Sequence, residues 1–187
     1  MTPILETPRL LLRPLQLSDA PRNQELFPHW EVVRYMASVI PWPYPDDGAQ
    51  KYVEYALAEV AAGKRYSWAL TLKAADDDLL IGAVELTPTN PENSRDFWIG
   101  LPYQRQGYMT EAVAAVNDFA FDVLELPYLR LNNAEANVGS HRLKEKSGAE
   151  ISKITEDVLF VSGKHRRVGW TLTREQWSAN RHRFTVE

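Results

Sequence analysis

The feature that most constrains the fold of this chain is an aromatic strand that runs through a glycine turn into an amphipathic helix, residues 96–112, DFWIGLPYQRQGYMTEA. A helix N-terminus leaves backbone N–H groups unpaired and carries about half a positive charge, so it attracts anions. Gly107 has no Cβ, which lets the backbone adopt a positive φ and approach a phosphate closely. An ordinary strand-to-helix turn explains the same glycine about equally well. On the phosphate interpretation, the converging amides are those of Gln106, Gly107, Tyr108, Met109 and Thr110.

Two better-known phosphate loops are absent from the sequence. No G-x-x-x-x-G-K-[ST] occurs, and no G-x-G-x-x-G opens a helix. Their glycines and lysine are what cradle the phosphates of nucleotides in those proteins. Kinase, GTPase and Rossmann interpretations therefore lose their main support.

Composition narrows the remaining classes. The chain has 187 residues, 44% of them hydrophobic, which is enough for one domain with a substantial core. A net charge of −4 argues against a surface built for nucleic acid. Without cysteine, disulfides, thiolate metal sites and a cysteine nucleophile are excluded. Paired histidines at metal-ligand spacing are also absent, so we expect no metal.

The N-terminal sequence MTPILETPRL has neither a basic leader nor a long apolar run. No segment approaches the roughly 20 apolar residues of a membrane span. We therefore expect a soluble, cytoplasmic protein without a membrane partner.

Hydrophobic periodicity predicts strands alternating with helices, which is an α/β fold. Successive hairpins are followed by a β-α-β crossover from Trp98 to Leu131, and ligand is expected where the central strands end and the helix begins. Turns are expected at 76–78 and 87–94. The predicted strands are 9–13, 66–73, 79–87, 96–101, 129–136, 151–153, 158–161 and 167–172, and the predicted helices are 19–27, 30–36, 46–63, 108–126 and 138–147.

Taken together, these segments resemble the GNAT acyltransferases, in the branch of the RimJ and RimL ribosomal-protein N-terminal acetyltransferases. The resemblance covers nearly the whole chain. It implies the GNAT fold over residues 1–187 as a single domain: a mixed, mostly antiparallel sheet with a splayed central strand pair, flanked by helices. The similar stretches are TPRLLLRPL, IPWPYPDDGAQKYV, LLIGAVEL, FWIGLPYQRQGYMTEAV, NAEANVGSHRLKEKSGA and VSGKHRRVGWTLTREQW.

The resemblance implies that acetyl-CoA is the co-substrate. The family's pyrophosphate motif, Q/R-x-x-G-x-G/A, corresponds here to Gln104, Gly107 and Met109, and methionine departs from the pattern. The charged run 141–146 is typical of a solvated helix face, and its alternative role is to meet the phosphoadenosine. Arg105 and Lys144 are the candidate contacts of that group. The pantetheine and acetyl carbonyl are expected to meet backbone groups of Trp98, Ile99 and Leu101 and the side chain of Asn137.

One of those strand amides is a candidate oxyanion donor, a group whose removal typically costs about 100- to 1000-fold in rate. Many GNAT enzymes place a tyrosine acid seven residues after the asparagine, but here Lys144 holds that position. Ser140 therefore becomes the candidate that protonates the departing thiolate. Its alternative role is that of a helix N-cap, which serine favours.

Two acidic residues are candidate bases. Glu85 is favoured and Asp96 is second, each acting through a water molecule. The alternative is that both carboxylates simply face solvent on their strands. Histidine is a common acid or base in enzymes, but His29 and His141 show no spacing that indicates a site.

The acceptor amine must be unprotonated to attack. At pH 7 about one α-amine in seven is neutral, against about one lysine in 2,500. An N-terminal or other weakly basic amine therefore needs less help from a base.

The loop 40–47, IPWPYPDD, contains three prolines and two aromatic residues, which excludes regular helix. Its Trp42 and Tyr44 are candidate acceptor contacts, whereas Trp68 and Trp98 in apolar strands are more typical of a core. The sequence leaves open whether the acceptor is a protein N-terminus or a small molecule, and whether the chain forms a homodimer. Two other classes also stay open: a non-catalytic acyl-CoA sensor and a plain interaction domain.

Overall fold

The computed structural model describes residues 1–75 and 78–184. The strands are β1 Leu5–Glu6, β2 Leu10–Pro14, β3 Tyr66–Leu72, β4 Gly82–Leu86, β5 Arg95–Ile99, β6 Tyr128–Ala134, β7 Glu150–Phe160 and β8 Gly163–Thr173. The α-helices are α1 Ala20–Leu26, α2 Trp30–Val33, α3 Gly48–Ala61, α4 Tyr108–Asp118, α5 Val138–Ser147 and α6 Arg174–Asn180. Short 3₁₀ or π turns cover Leu17–Asp19, Leu101–Tyr103, Phe119–Val123 and Arg181–Phe184.

The strands form two sheets. Strands β1 to β5 make an antiparallel sheet in chain order, and β6, β8 and β7 make a second one. Strands β5 and β6 meet where they begin, because Ser94 N donates to Arg130 O at 2.6 Å and Arg130 N donates to Ser94 Oγ at 3.1 Å. Further along they belong to separate sheets and diverge. The predicted α/β class with a splayed central strand pair is confirmed.

Helices cover both faces of the first sheet. The predicted apolar face of α4 is buried, with Val113 and Val116 fully enclosed against strands of both sheets. Trp68 lies in the same cluster and is fully buried, as expected for a core residue. The other face packs Val53 and Ala56 of α3 with Trp98 of β5. Across the described residues, no helix is both long and apolar enough to cross a membrane.

Several predicted boundaries are wrong. The strand expected at 79–87 begins only at Gly82. The segments 151–153 and 158–161 form one strand, β7, because two bulges let it bend without ending. Helix α6 was not predicted, although a capping box formed by Thr173 and Gln176 marks its start. Asp76 and Asp77 of the turn expected at 76–78 lie outside the described residues.

Candidate active site

The glycine turn has the expected geometry. Helix α4 begins at Tyr108, and Gly107 caps it with φ of 82°. The first helical hydrogen bond runs from Glu111 N to Gly107 O at 3.0 Å, so the three preceding amides have no acceptor within the helix. A Cβ placed on Gly107 would meet Arg9 Nη2 at 3.2 Å. The turn therefore offers a bare backbone and unpaired donors, which fits a pyrophosphate.

Arg9, which directly precedes β2, packs against this turn and is absent from the residues predicted for it. Its Nη1 donates to Gln106 O at 2.9 Å, and its guanidinium stacks on the Tyr108 ring at 4.6 Å. Its Nε pairs with Glu111 at 2.8 Å. The sequence separation of 98 residues from Gly107 hides this contact, although Arg9 lies within one of the family-like stretches. Arg9 thus fixes the turn and adds a positive charge beside it.

The other side chains of the turn support its shape. Gln104 Nε2 donates to Ile99 O at 3.2 Å, and Gln106 Nε2 donates to Pro102 O at 2.7 Å. Arg105 is exposed with φ of 61°. Met109 packs against the core, so its bulk points away from the turn and its amide stays accessible.

The opening between β5 and β6 is lined by alternate residues of β5. Gly100 N donates to Ile81 O at 2.9 Å, and Trp98 is the register partner of Ala83. Backbone groups point alternately to the two sides of a strand, so Trp98 pairs with β4 while Phe97 and Ile99 face the opening. The expectation for the backbone of Trp98 is therefore wrong, and Phe97 takes its place. Leu101 lies just beyond, in a 3₁₀ turn.

Helix α5 begins on the far side of that opening. Asn137 is its N-cap, and Asn137 Oδ1 accepts from Ser140 N at 3.2 Å. This corrects the alternative role of Ser140 as the cap. Ser140 is 8% exposed, and its Oγ accepts from Lys144 Nζ at 2.7 Å.

Lys144 is not on a solvated helix face. It is 2% exposed, with its ammonium 5.6 Å from the Phe97 ring centroid. The interpretation of a solvated helix face is therefore wrong for Lys144, and its buried ammonium, bonded to Ser140, does not favour a contact with the phosphoadenosine. Burial and, to a smaller extent, the charge of nearby Arg95 lower the pKa of Lys144 to about 7, against the opposing effect of Asp96.

A cavity of about 480 Å³ lies on the other face of β5. Acidic Glu85 and Asp96 line it together with apolar and aromatic side chains. Tyr44 lines the cavity as expected for an acceptor contact, whereas Trp42 does not and instead packs on Trp30 at 5.6 Å. The main aromatic and apolar lining residues are Phe27, Met36, Ile40, Tyr44, Tyr52, Phe97 and Trp98.

Glu85 is held in a hydrogen-bond network. Arg65 donates to Glu85 Oε2 at 2.8 Å, Ser67 Oγ donates to Oε1 at 3.1 Å, and the Tyr52 hydroxyl also donates to Oε1. Burial raises the pKa of Tyr52 well above its ordinary value, so Tyr52 stays a donor at neutral pH. Glu85 is 8% exposed, which corrects the alternative of a solvent-facing carboxylate.

Asp96 is the register partner of Glu85 across the β4–β5 pair. Its side chain is open to the cavity. Desolvation of the carboxyl by the surrounding protein, together with the neighbouring charge of Glu85, raises its pKa to about 6. Asn93 Nδ2 donates to Asp96 Oδ1 at 2.6 Å. A carboxylate with a pKa near 6 is a better proton acceptor than an ordinary aspartate.

The two candidate histidines lie away from the cavity lining. His29 Nε2 contacts Glu25 O at 3.2 Å on the surface. His141 packs edge-on against Trp170 at 4.7 Å and lies 3.6 Å from Glu145. Both contacts are structural.

Comparison with known proteins agrees with this geometry. The model of the acetyltransferase (GNAT) domain matches residues 9–150, most of the chain. The chain belongs to the GNAT acetyltransferases. It is therefore an acetyl-CoA-dependent acetyltransferase. A curated relative of this GNAT protein, the probable N-acetyltransferase YjcK of Bacillus subtilis (strain 168), is 26% identical over 171 residues, which are 86% of this chain and 91% of the relative.

Solved structures share the fold at lower identity. Mycobacterium smegmatis RimJ, in complex with a CoA disulfide, has a TM-score of 0.79 at 17% identity, covering 97% of this chain and 91% of that one. RimL, a ribosomal L7/L12 α-N-protein acetyltransferase bound to coenzyme A, has a TM-score of 0.75 at 14% identity, covering 91% and 98%.

Proposed function

We propose that this GNAT protein transfers the acetyl group of acetyl-CoA to the primary amine of a small molecule with an apolar or aromatic body. The observation that carries the proposal is the cavity of about 480 Å³ against β5, which has two carboxylates and a lining of mainly apolar and aromatic side chains. Transfer is direct, within a ternary complex, with no covalent enzyme intermediate.

In this proposal the coenzyme lies across the splayed strands. Its pyrophosphate accepts from the amides of Tyr108, Met109 and Thr110 at the start of α4, with Arg9 beside the turn. Arg105 is exposed and free to meet the outer phosphate. The pantetheine runs along the edge of β5, where Asn137 reaches it from α5 with its amide nitrogen.

Asp96 acts as the base, in preference to Glu85. Glu85 already accepts from Arg65, Ser67 and Tyr52, which hold its charge in place. Asp96 has a pKa of about 6 and an open side to the cavity. At neutral pH it is ionised and removes a proton from the attacking amine, directly or through one water molecule.

The acetyl carbonyl and the sulfur lie on the opposite side of the strand edge. The amide of Ile99 faces the opening and serves as the oxyanion donor. The hydroxyl of Ser140, at the start of α5, protonates the departing thiolate. A thiol pKa of about 8.5 makes this a modest demand on the acid.

The cavity favours a small acceptor. Its volume lies within the range of about 300–1,000 Å³ that small-molecule pockets span. Asp96 attracts an ammonium group, since Glu85 is already paired with Arg65. The aromatic lining, including Tyr44 and Trp98, covers an apolar body. A protein N-terminus would insert only its first residue.

Isothermal titration with acetyl-CoA tests the coenzyme site. Gly107→Glu places a carboxylate at the pyrophosphate turn, so we expect wild-type binding in the micromolar range and a loss of at least tenfold in the variant. Gly63→Glu is the matched control: its φ is also positive, at 72°, and a Cβ there meets nothing within 4 Å. Equal affinity in wild type and Gly107→Glu would refute the site.

A thiol-release screen then tests the acceptor. We expect arylalkylamines and similar small amines to be acetylated with a kcat/KM at least tenfold above that of peptides with free N-termini. Preference for peptides would refute the small-molecule proposal. Tight acetyl-CoA binding without turnover of any amine would instead indicate a sensor.

A further inference from the structure

We propose that Lys144 is a positioning residue that supplies a proton through Ser140 to the departing coenzyme thiolate. The inference rests on the proposed function and adds a second member to its acid side. Lys144 Nζ lies 2.7 Å from Ser140 Oγ, one helical turn along α5. The hydroxyl accepts this hydrogen bond in the first turn of α5, the helix whose N-cap Asn137 is proposed to reach the pantetheine.

The ammonium has no carboxylate in salt-bridge contact among the described residues. Most buried lysines are paired, because an isolated ammonium loses its hydration on burial. Here Lys144 is 2% exposed and its ammonium donates a hydrogen bond to Ser140 Oγ. Such a group is costly for stability, and proton donation gives it a chemical use.

The charges around Lys144 come from β5. Arg95 is a second buried cation, 3% exposed, whose guanidinium is bonded to Asn117 of α4. Asp96 lies on the cavity side of the same strand, and the charge of Lys144 lowers its pKa. From its own helix, Lys144 meets Ser140. The repulsion by Arg95 makes the Lys144 proton easier to release, and Asp96 keeps part of the population charged.

Asp96, Ser140 and Lys144 together account for every proton that moves in the proposed reaction. As the adduct of amine and thioester collapses, the carbon–sulfur bond breaks and its electron pair passes to sulfur. Sulfur takes the hydroxyl proton of Ser140, and Ser140 takes a proton from Lys144, which becomes neutral. Asp96 holds the proton that the attacking nitrogen lost. Transfer of this proton through water to Lys144 restores the Asp96 carboxylate and the Lys144 ammonium. No other reactant is needed.

Replacement by methionine is a clean test because Lys144→Met keeps a long unbranched side chain and removes a buried charge. Its melting temperature should equal or exceed that of wild type. The control is Lys153→Met, the same change at an exposed position on β7. Wild-type affinity for acetyl-CoA should persist within twofold in both variants.

The first readout is the pKa of the thiol of bound coenzyme A, which is measured from thiolate absorbance as a function of pH. We expect the wild type and Lys153→Met to lower the pKa of the bound thiol below that of coenzyme A free in solution, and Lys144→Met to abolish that shift. An unchanged thiol pKa in Lys144→Met would overturn the proposal, and this readout requires no acceptor.

The second readout is the pH dependence of kcat, with acetyl-CoA hydrolysis or an amine of pKa well below 6 as the probe reaction. Wild-type kcat should fall at alkaline pH as Lys144 loses its proton, whereas Lys144→Met should be at least tenfold slower at pH 7 and lack that limb. Loss of activity in Ser140→Ala with full activity in Lys144→Met would refute the relay while leaving the proposed function intact. Absence of acetyl-CoA binding by wild type would refute both.

Discussion

At the scale of single residues, burial decides which side chains can do chemistry. Glu85 and Asp96 are register partners, yet only Asp96 combines a raised pKa with open access to the cavity. Glu85 already accepts hydrogen bonds from Arg65, Ser67 and Tyr52. The difference arises from neighbours rather than from residue type.

Asp96→Asn should remove the base without unfolding the protein. We expect a loss of about 100-fold or more in kcat/KM and loss of the acidic limb near pH 6. The folded pKa of Asp96 is raised, so its contribution to stability is present at low pH and is lost as pH rises from about 4 to about 6. The variant should therefore be at least as stable as wild type at pH 7.

Steady-state rates and thermal melts from pH 5 to 9 measure both effects. Asp157→Asn, at an exposed position with φ of 53° that asparagine tolerates, is the control and should behave like wild type. An intact acidic limb in Asp96→Asn would assign the base elsewhere.

At the scale of elements, the site exists because β5 loses its neighbour partway along. Its Asp96 and Trp98 backbones pair with β4, whereas those of Phe97 and Ile99 face the gap left by β6. Helices α4 and α5 then present their N-termini near that gap, at Gly107 and Asn137. The free edge of β5 and the N-termini of α4 and α5 together offer hydrogen-bond donors that suit an extended, anionic ligand.

Amide hydrogen exchange should show this alternation directly. In the free protein we expect the amides of Phe97 and Ile99 to exchange faster than those of Asp96 and Trp98, which are already hydrogen-bonded. Acetyl-CoA should slow Phe97 and Ile99 at least tenfold and leave the other two little changed. Equal protection of all four residues would contradict the assigned edge.

At the scale of the whole molecule, the two sheets are held together at β5 and β6 by bonds near Ser94 and Arg130. Helix α4 and the core cluster around it, which includes Val113 and Val116, also join the two sheets. A ligand seated between the diverging strands contacts elements of both sheets. Its binding should therefore be linked to global unfolding.

Acetyl-CoA at 100 times its Kd should stabilise the wild-type protein by about 2.7 kcal/mol, because only the folded state binds it. Differential scanning fluorimetry over a coenzyme titration measures the rise in Tm. Gly107→Glu should show little rise and Gly63→Glu a normal one. A rise in Tm for Gly107→Glu equal to that of wild type would contradict the placement of the pyrophosphate.

Local sequence signals predicted what depends on neighbours along the chain. The positive φ at Gly107, the start of α4 and the end of α5 at Gly148 follow from the stereochemistry of glycine and from helical periodicity. The strand content followed from alternation. The bulged β7 did not, because a bulge depends on the pairing partner as much as on the bulged residues.

The sequence by itself determined the α/β class, the glycine turn before α4 and membership of the acetyltransferase family, because these depend on contiguous motifs and on hydrophobic periodicity. Only the tertiary structure placed Arg9 beside the Gly107 turn and buried Lys144 against Ser140. It also put Tyr44 but not Trp42 in the cavity lining, and turned the backbone of Phe97 rather than that of Trp98 toward the opening. Each of those outcomes depends on residues far apart in the chain or on which side of a strand is paired. Desolvation and charge proximity, which set the pKa values of Asp96 and Lys144, exist only once the chain has folded.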